Sequence, residues 1–243
     1  MRLNKGKIKN INSRRGALSL LMILAICLAA FALSACESEE SGSAADPGEE
    51  HAIQDGAAKK YVDLLTSDKS EYYMTIESEQ KTAGSDDVFQ DVQTIAQDGT
   101  KKFVSSDASQ SLQYNLDGYF YYYDIQNKQY YKMKESGNVD EITGAYAPRN
   151  GYKKTVEKEF DGTKCQCDIF EKETTEEGVV MVNITEYYVD EEGQLVGVVS
   201  EQRNKDSDRM AGRLVMTVTD FKTKVPEGTF DLPDGYEEVK QGQ

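Results

Sequence analysis

Hydrophobic positions follow three different patterns along the 243 residues of the chain. Residues 17–36 form one run of apolar and small side chains that contains no charged residue. Residues 37–56 are acidic and poor in apolar side chains, and such a composition cannot bury enough surface to order itself, so we predict a flexible tether. From Ala57 onward the apolar positions become periodic, which predicts one folded domain over residues 57–243.

The folded segment opens with helical periodicity. Ala58, Tyr61, Val62 and Leu65 recur at the spacing i, i+3, i+4, i+7, which is typical of one apolar stripe on a helix of about three turns. Asp55 is placed where it can cap the start of this helix. We therefore predict a short amphipathic helix that buries one face.

Residues 71–220 have the pattern of antiparallel β-structure. Tyr72, Met74 and Ile76 alternate with more polar neighbours, so they point to one face of a strand. Turn signals separate the strand-like runs at intervals of roughly ten residues. These signals are Asp98-Gly99, Asp117-Gly118, Asn127-Lys128, Asp161-Gly162 and Glu191-Glu192-Gly193.

Residues 136–150 interrupt this rhythm, and they can hold a short helix before Pro148. About nine to eleven strands in sequence order, with few helices, predict a mainly β fold of the α+β class. We expect a curved antiparallel sheet or open half-barrel.

The apolar run at residues 17–36 is typical of an export signal. Six basic residues and no acid precede it, and small residues close it, as in the three regions of a signal peptide. Leu33-Ser34-Ala35-Cys36 resembles the lipobox of bacterial lipoproteins, in which the cysteine receives a diacylglycerol and the peptide before it is removed.

An uncleaved membrane span is the alternative interpretation of this run, since its length nearly suffices to cross a bilayer. The abrupt acidic sequence after Cys36 favours processing. We therefore predict that residues 1–36 are removed as a signal peptide. Cys36 then carries the lipid, including palmitate-type acyl chains, that anchors the protein at the extracytoplasmic face of the cell membrane.

Charge narrows the range of partners. The formal net charge is −15, and the loss of six basic residues and no acid with residues 1–36 lowers it to −21. We expect no nucleic-acid partner, because phosphates require a basic surface. Anionic lipid headgroups repel such a domain, so the lipid anchor must hold it at the membrane.

Two cysteines remain in the folded domain, Cys165 and Cys167. On a strand they share one face, but their Cβ atoms lie farther apart than the roughly 3.5–4.5 Å that a disulfide requires. Cys-x-Cys supplies two metal ligands, and the only histidine, His51, falls in the tether, whereas structural zinc sites usually have four ligands. We predict two buried free thiols, no metal site and no cofactor.

The order of elements and the closing Pro226–Tyr236 segment resemble the LolA/LolB-like superfamily of lipoprotein carriers, receptors and sensor domains. The segment from Tyr121 to Tyr131 is similar to the paired central strands of that superfamily. The resemblance covers residues 57–239. It implies an incomplete barrel with one or two short helices on its concave face and a space that accepts acyl chains or apolar peptide. With its lipid anchor, the chain resembles the receptors, or the lipoproteins of this fold that have no transfer role.

Catalytic chemistry has little support in the sequence. A histidine confined to the tether argues against Ser-His and Cys-His pairs, and there is no phosphate-binding glycine loop or zinc motif. Carboxylates are plentiful, but 43 acidic residues make coincidental pairs certain. We predict that the protein is not an enzyme.

Tyrosine is unusually frequent among the aromatic residues, with fifteen residues against eight phenylalanines. Residues 119–123 are all aromatic, so both faces of their strand are aromatic. Either one face packs a core while the other lines a cleft, where tyrosine combines apolar area with a polar tip, or tyrosine simply packs well in pleated sheets. The candidate groove residues are Tyr119, Tyr121, Tyr123, Tyr131 and Met133.

These features predict a membrane-anchored extracytoplasmic lipoprotein that acts as a non-catalytic binding module. The first hypothesis is that a concave hydrophobic groove holds acyl chains or an apolar peptide. The alternative is a protein-partner module that positions or regulates an enzyme or sensor of the cell envelope, which fits the absence of catalytic motifs beside a long acidic tether.

Overall fold

The computed structural model describes residues 56–67, 69–134, 151–176 and 178–239. This part of the chain forms one helix and twelve strands. The elements are α1 (Lys59–Thr66), β1 (Glu71–Thr82), β2 (Val88–Asp98), β3 (Lys101–Ser106), β4 (Ser111–Leu116), β5 (Tyr119–Asp124), β6 (Gln129–Lys134), β7 (Tyr152–Phe160), β8 (Thr163–Glu176), β9 (Val179–Asp190), β10 (Leu195–Asn204), β11 (Met210–Lys222) and β12 (Glu237–Glu238). The predicted mainly β fold is confirmed, with somewhat more strands than expected.

Three sequence predictions lie outside the described residues: the signal and tether, the Asp55 cap, and the short helix within residues 136–150. No helix in the described part of the chain combines the length and apolarity needed to cross a bilayer.

All twelve strands belong to one open, curved sheet. Their order is β12-β6-β5-β4-β3-β2-β1-β11-β10-β9-β8-β7, so two meanders, β1–β6 and β7–β11, meet where β1 pairs with β11. Every pairing is antiparallel except that of β12 with β6. The long central strands β1 and β11 come from opposite ends of the folded segment, so their pairing joins the two meanders into one sheet.

The predicted turn signals join the strands as expected. Asp117 and Gly118, between β4 and β5, have φ angles of 53° and 75°. Asp161 and Gly162, between β7 and β8, have φ angles of 46° and 78°. Two successive residues with positive φ are the requirement of the hairpin turn that matches strand twist, and Asp-Gly tolerates it best.

The predicted apolar stripe of α1 packs on one face of the sheet, which we call the helix face. Ala58, Tyr61, Val62 and Leu65 are buried, and the Tyr61 ring lies edge-on to the Phe221 ring at 5.1 Å between centroids. Burying a side chain of this size contributes about 1.5–3 kcal/mol. The helix is therefore stabilised mainly by its packing on the sheet.

A distant carboxylate caps α1. Ala58 is the N-cap residue and has no side chain that could cap the helix. Asp168, on β8 and fully buried, accepts a 2.8 Å hydrogen bond from the Ala58 amide and a 2.6 Å bond from the Thr155 hydroxyl. Its negative charge also lies at the positive end of the helix dipole. Asp168 therefore ties the helix to strands β7 and β8.

The opposite face carries a second, smaller core of Phe160, Cys165, Cys167, Ile169, Tyr188 and Val199. Phe160 of β7 reaches Gly197 of β10: a Cβ added to Gly197 would lie 2.3 Å from the Phe160 ring. These strands would be roughly 14 Å apart in a flat sheet, at about 4.8 Å per strand. The β7–β8 hairpin must therefore curl over the opposite face.

The C-terminal segment, residues 223–239, crosses the opposite face beside β3–β6. The Tyr236 ring packs edge-on to Tyr123 at 5.0 Å, and the Lys101 ammonium lies 5.9 Å from the Phe230 ring. The segment is fastened at its start by Glu71, which accepts a 3.0 Å hydrogen bond from the Val225 amide. It therefore acts as a cover for this part of the sheet.

Candidate functional site

The five candidate groove residues do not share one surface. Strand register pairs Tyr131 with Tyr122 and Met133 with Phe120, so these two side chains lie on the helix face. Tyr119, Tyr121 and Tyr123 alternate onto the opposite face. The structure therefore divides the predicted set into three residues and two. Whether either group binds a ligand stays a prediction.

On the opposite face, Tyr123 packs against other tyrosine rings of the same protein. Tyr123 is buried, stacks on Tyr130 at 5.0 Å and meets Tyr114 edge-on at 5.7 Å. Burial raises the pKa of both Tyr114 and Tyr123 to about 12. The C-terminal Tyr236 closes the cluster. Packing, which was one of the two sequence interpretations, explains these rings.

Tyr119 and Tyr121 contact a cation of the neighbouring strand. The ammonium of Lys132 lies 3.9 Å from the Tyr119 ring centroid and 5.1 Å from that of Tyr121. Such contacts contribute about 0.5–1 kcal/mol at exposed sites. Lys132 therefore contacts both rings in this part of the predicted groove, and Tyr119 stays 38% exposed.

The helix face carries a different feature, which we call the aromatic stripe: Phe120, Tyr122, Tyr131 and Met133. Tyr122 and Tyr131 stack at 5.1 Å with an interplanar angle of 15°, and Phe120 lies 6.3 Å from Tyr131. All four side chains are half-buried. Burial raises the pKa of Tyr122 and of Tyr131. The stripe therefore presents flat apolar surface with polar edges.

Asn115 adjoins the aromatic stripe as the partner of Phe120 on β4. It is 3% exposed, and its Oδ1 atom has no hydrogen-bond partner among the described residues. Leaving a buried carbonyl oxygen without a donor costs about 1–3 kcal/mol. This oxygen is shielded from solvent, so it is an unsatisfied polar atom beneath the stripe and is not part of the stripe's exposed surface.

Sequence reasoning missed a cavity of about 860 Å³ on the opposite face. The second core forms its floor with Phe160, Tyr188 and Val199, and Val215 joins them from β11. Its lining residues come from β1, β2, β7 and β9–β11 and from the turns after β3 and β7. No local motif could have indicated it, because the curl of the sheet brings these segments together.

The two thiols behave as predicted. Cys165 and Cys167 are free and buried. Burial raises the pKa of the Cys167 thiol to about 12 and also raises that of Cys165. Because the thiolate is the nucleophile and the metal ligand, burial disfavours nucleophilic attack and metal binding by both sulfurs.

A small polar network lies beside the thiols. Glu186 accepts a 2.5 Å hydrogen bond from the Lys158 ammonium and a short bond from the Tyr188 hydroxyl. Burial raises the pKa of Tyr188, so this hydroxyl does not serve as a base near neutral pH. Within the described ranges no three His, Cys, Asp or Glu residues converge to hold a metal. The Glu186 carboxylate is therefore paired with Lys158 and Tyr188, as in a structural ion pair.

Comparisons with known proteins give structural matches alone. No family model and no curated protein matches the chain. An uncharacterized conserved protein from Thermus thermophilus aligns at 11% identity over 75% of this chain and 98% of that one, with a TM-score of 0.43. A LolA superfamily protein from Nitrosomonas europaea aligns at 11% identity over 71% and 97%, with a TM-score of 0.34. LprF from Mycobacterium bovis aligns at 9% identity over 70% and 94%, with a TM-score of 0.42.

Proposed function

We propose that this protein is a lipid-anchored, extracytoplasmic, non-catalytic binding module that holds an apolar ligand against the aromatic stripe. The observation that carries the proposal is the change in exposure across the helix face. Ile76, Ile95 and Val104 of β1–β3 are buried there, whereas the stripe, on β5 and β6, is half-exposed.

The chemistry of the stripe narrows the ligand. Stacked Tyr122 and Tyr131 favour a flat or extended apolar group. The acidic domain repels the carboxylate of a free fatty acid. We therefore propose an acyl chain with an uncharged headgroup, or an apolar peptide.

The ligand proposal predicts that the purified domain of residues 37–243 carries lipid. Native mass spectrometry should show a bound species, and delipidated protein should bind an apolar fluorophore. Tyr131→Ala removes one half of the stacked pair, and we expect it to weaken fluorophore binding about tenfold, equivalent to about 1.4 kcal/mol. The measurement is a fluorescence titration.

The matched control is Tyr119→Ala, the same substitution on the opposite face of the adjacent strand. We expect this variant to bind the fluorophore like the parent protein. A clean apo mass with no fluorophore binding would contradict the proposal, and so would equal weakening by the two variants.

The anchor part of the proposal predicts that Cys36→Ala abolishes labelling of the protein by radioactive palmitate in growing cells. The reason is that the sulfur of Cys36 and the amino group exposed by cleavage are the two acylation points in the lipoprotein pattern. The control is Cys27→Ala, which removes a cysteine inside the apolar run and should leave labelling intact. Persistent label on the Cys36 variant would show that the lipobox interpretation is wrong.

A further inference from the structure

The cavity on the opposite face is separate from the aromatic stripe and has its own chemistry. Its floor is apolar: Phe160, Tyr188 and Val199 are buried, and Val215 packs against them. Val92, which also lines the cavity, is 41% exposed. An apolar floor in an open cavity of about 860 Å³ is within the size range of ligand pockets.

The cavity's rim is strongly acidic. Asp91 lines it too, but this buried carboxylate is already bound by the Ser106 hydroxyl and the Ala108 amide. Among the described lining residues Arg213 is the single cation, and its Nε atom lies 3.8 Å from a Glu201 oxygen. The exposed carboxylates of the rim belong to Glu77, Glu79, Asp107, Glu159 and Asp161.

These exposed carboxylates are left without a compensating cation in the described structure. Glu79 accepts a hydrogen bond from the neutral amide of Gln90, which cancels no charge. The rim therefore favours a positively charged occupant through charge complementarity.

The positions of the rim carboxylates indicate the shape of the ligand that would fit the cavity. They come from β1, from the turn after β3, from the end of β7 and from the β7–β8 turn. No three of them converge as a metal site within the described residues. Separated negative charges around an apolar floor match an extended ligand with several positive charges. A lipid surface does not fit, because its anionic headgroups would meet the acidic rim.

We propose that the cavity is a docking site for a basic, extended polypeptide segment of a partner protein. Lysine or arginine side chains of the segment lie against the Glu77 and Glu79 side of the rim. A large apolar side chain between them packs on the Phe160 and Tyr188 floor. The site does not depend on ligand binding at the aromatic stripe.

The test uses the full-length chain, purified in a non-ionic detergent, and a fluorescent short peptide of alternating lysine and leucine. We expect fluorescence anisotropy to show saturable binding that weakens as ionic strength rises from about 0.05 to 0.5 M. The double substitution Glu77→Gln and Glu79→Gln should weaken binding about fivefold, since each exposed ion pair contributes modestly. Both positions are exposed, so the fold should tolerate the change.

The control variant is Glu191→Gln with Glu192→Gln, which removes the same charge from the exposed β9–β10 turn outside the cavity. It should bind the peptide like the parent chain. A peptide of lysine and glycine should bind more weakly, since it cannot occupy the floor. Equal loss in the two double variants, or equal binding of the two peptides, would overturn the proposal. Fluorophore binding at the stripe should be unchanged in Glu77→Gln with Glu79→Gln, so the two proposals fail separately.

Discussion

Replacing Asp168 by alanine is expected to lower the free energy of unfolding by about 3–5 kcal/mol. The carboxylate accepts hydrogen bonds from the Ala58 amide and the Thr155 hydroxyl, and it is fully buried. A hydrogen bond to a charged group contributes about 1.5–3 kcal/mol. Alanine leaves the Ala58 amide without this acceptor, and the Thr155 hydroxyl keeps only its contact with the Tyr152 hydroxyl. Helix α1 also loses a negative charge at its N-terminus.

Equilibrium unfolding in urea measures this effect. Asp190→Ala is the matched control, because Asp190 also accepts a bond from a backbone amide, that of Gln194, but in an exposed turn. It should cost about 1 kcal/mol or less. Asp168→Asn retains one acceptor and should fall between the two alanine variants. Equal losses for Asp168→Ala and Asp190→Ala would contradict the role assigned to the buried carboxylate.

The helix α1 could be predicted from the sequence, whereas its contact with Asp168 could not. Periodicity placed α1 correctly and identified its buried residues, because the stripe of Tyr61 and Leu65 is a local pattern. The acceptor of the Ala58 amide lies 110 residues further along the chain. Only the pairing of the second meander brings Asp168 beneath the helix, and no spacing in the sequence encodes that distance.

The aromatic strands β5 and β6 show that local patterns are also insufficient for neighbouring strands. Alternation correctly placed odd and even residues of 119–123 on opposite faces. The grouping of Tyr131 and Met133 with the odd residues was not reproduced, because the face of β6 depends on hairpin register. Four residues connect β5 to β6, so odd-numbered residues of β5 share a face with even-numbered residues of β6. Alternation within each strand does not show which residues of β5 and β6 share a face.

The cavity could not be predicted from the sequence, because it depends on contacts between strands that are far apart in the sheet. Turn chemistry predicted the β7–β8 hairpin at Asp161-Gly162, but not that the hairpin curls over the opposite face. The curl depends on a glycine three strands away, at Gly197, where the ring of Phe160 occupies the space of a side chain. A glycine inside a strand indicates a close approach, and the sequence alone does not identify the approaching group.

The close approach at Gly197 leads to a second large effect: Gly197→Ala should lower the free energy of unfolding by about 2–3 kcal/mol. The added methyl group would lie 2.3 Å from the Phe160 ring, so the ring must leave its position. Phe160 then loses its contact with Tyr188, at 4.8 Å between centroids, and the second core opens.

A matched glycine and a second substitution make this prediction specific. Gly212→Ala, on β11, places its methyl 3.7 Å from the nearest atom, which is an ordinary contact, so we expect it to be neutral or slightly stabilising. Combining Gly197→Ala with Phe160→Leu shortens the side chain that clashes. Urea unfolding of the double-mutant cycle should give a coupling of about 1 kcal/mol or more. If Gly197→Ala were as mild as Gly212→Ala, the Phe160 ring could not be what holds the hairpin over the cavity.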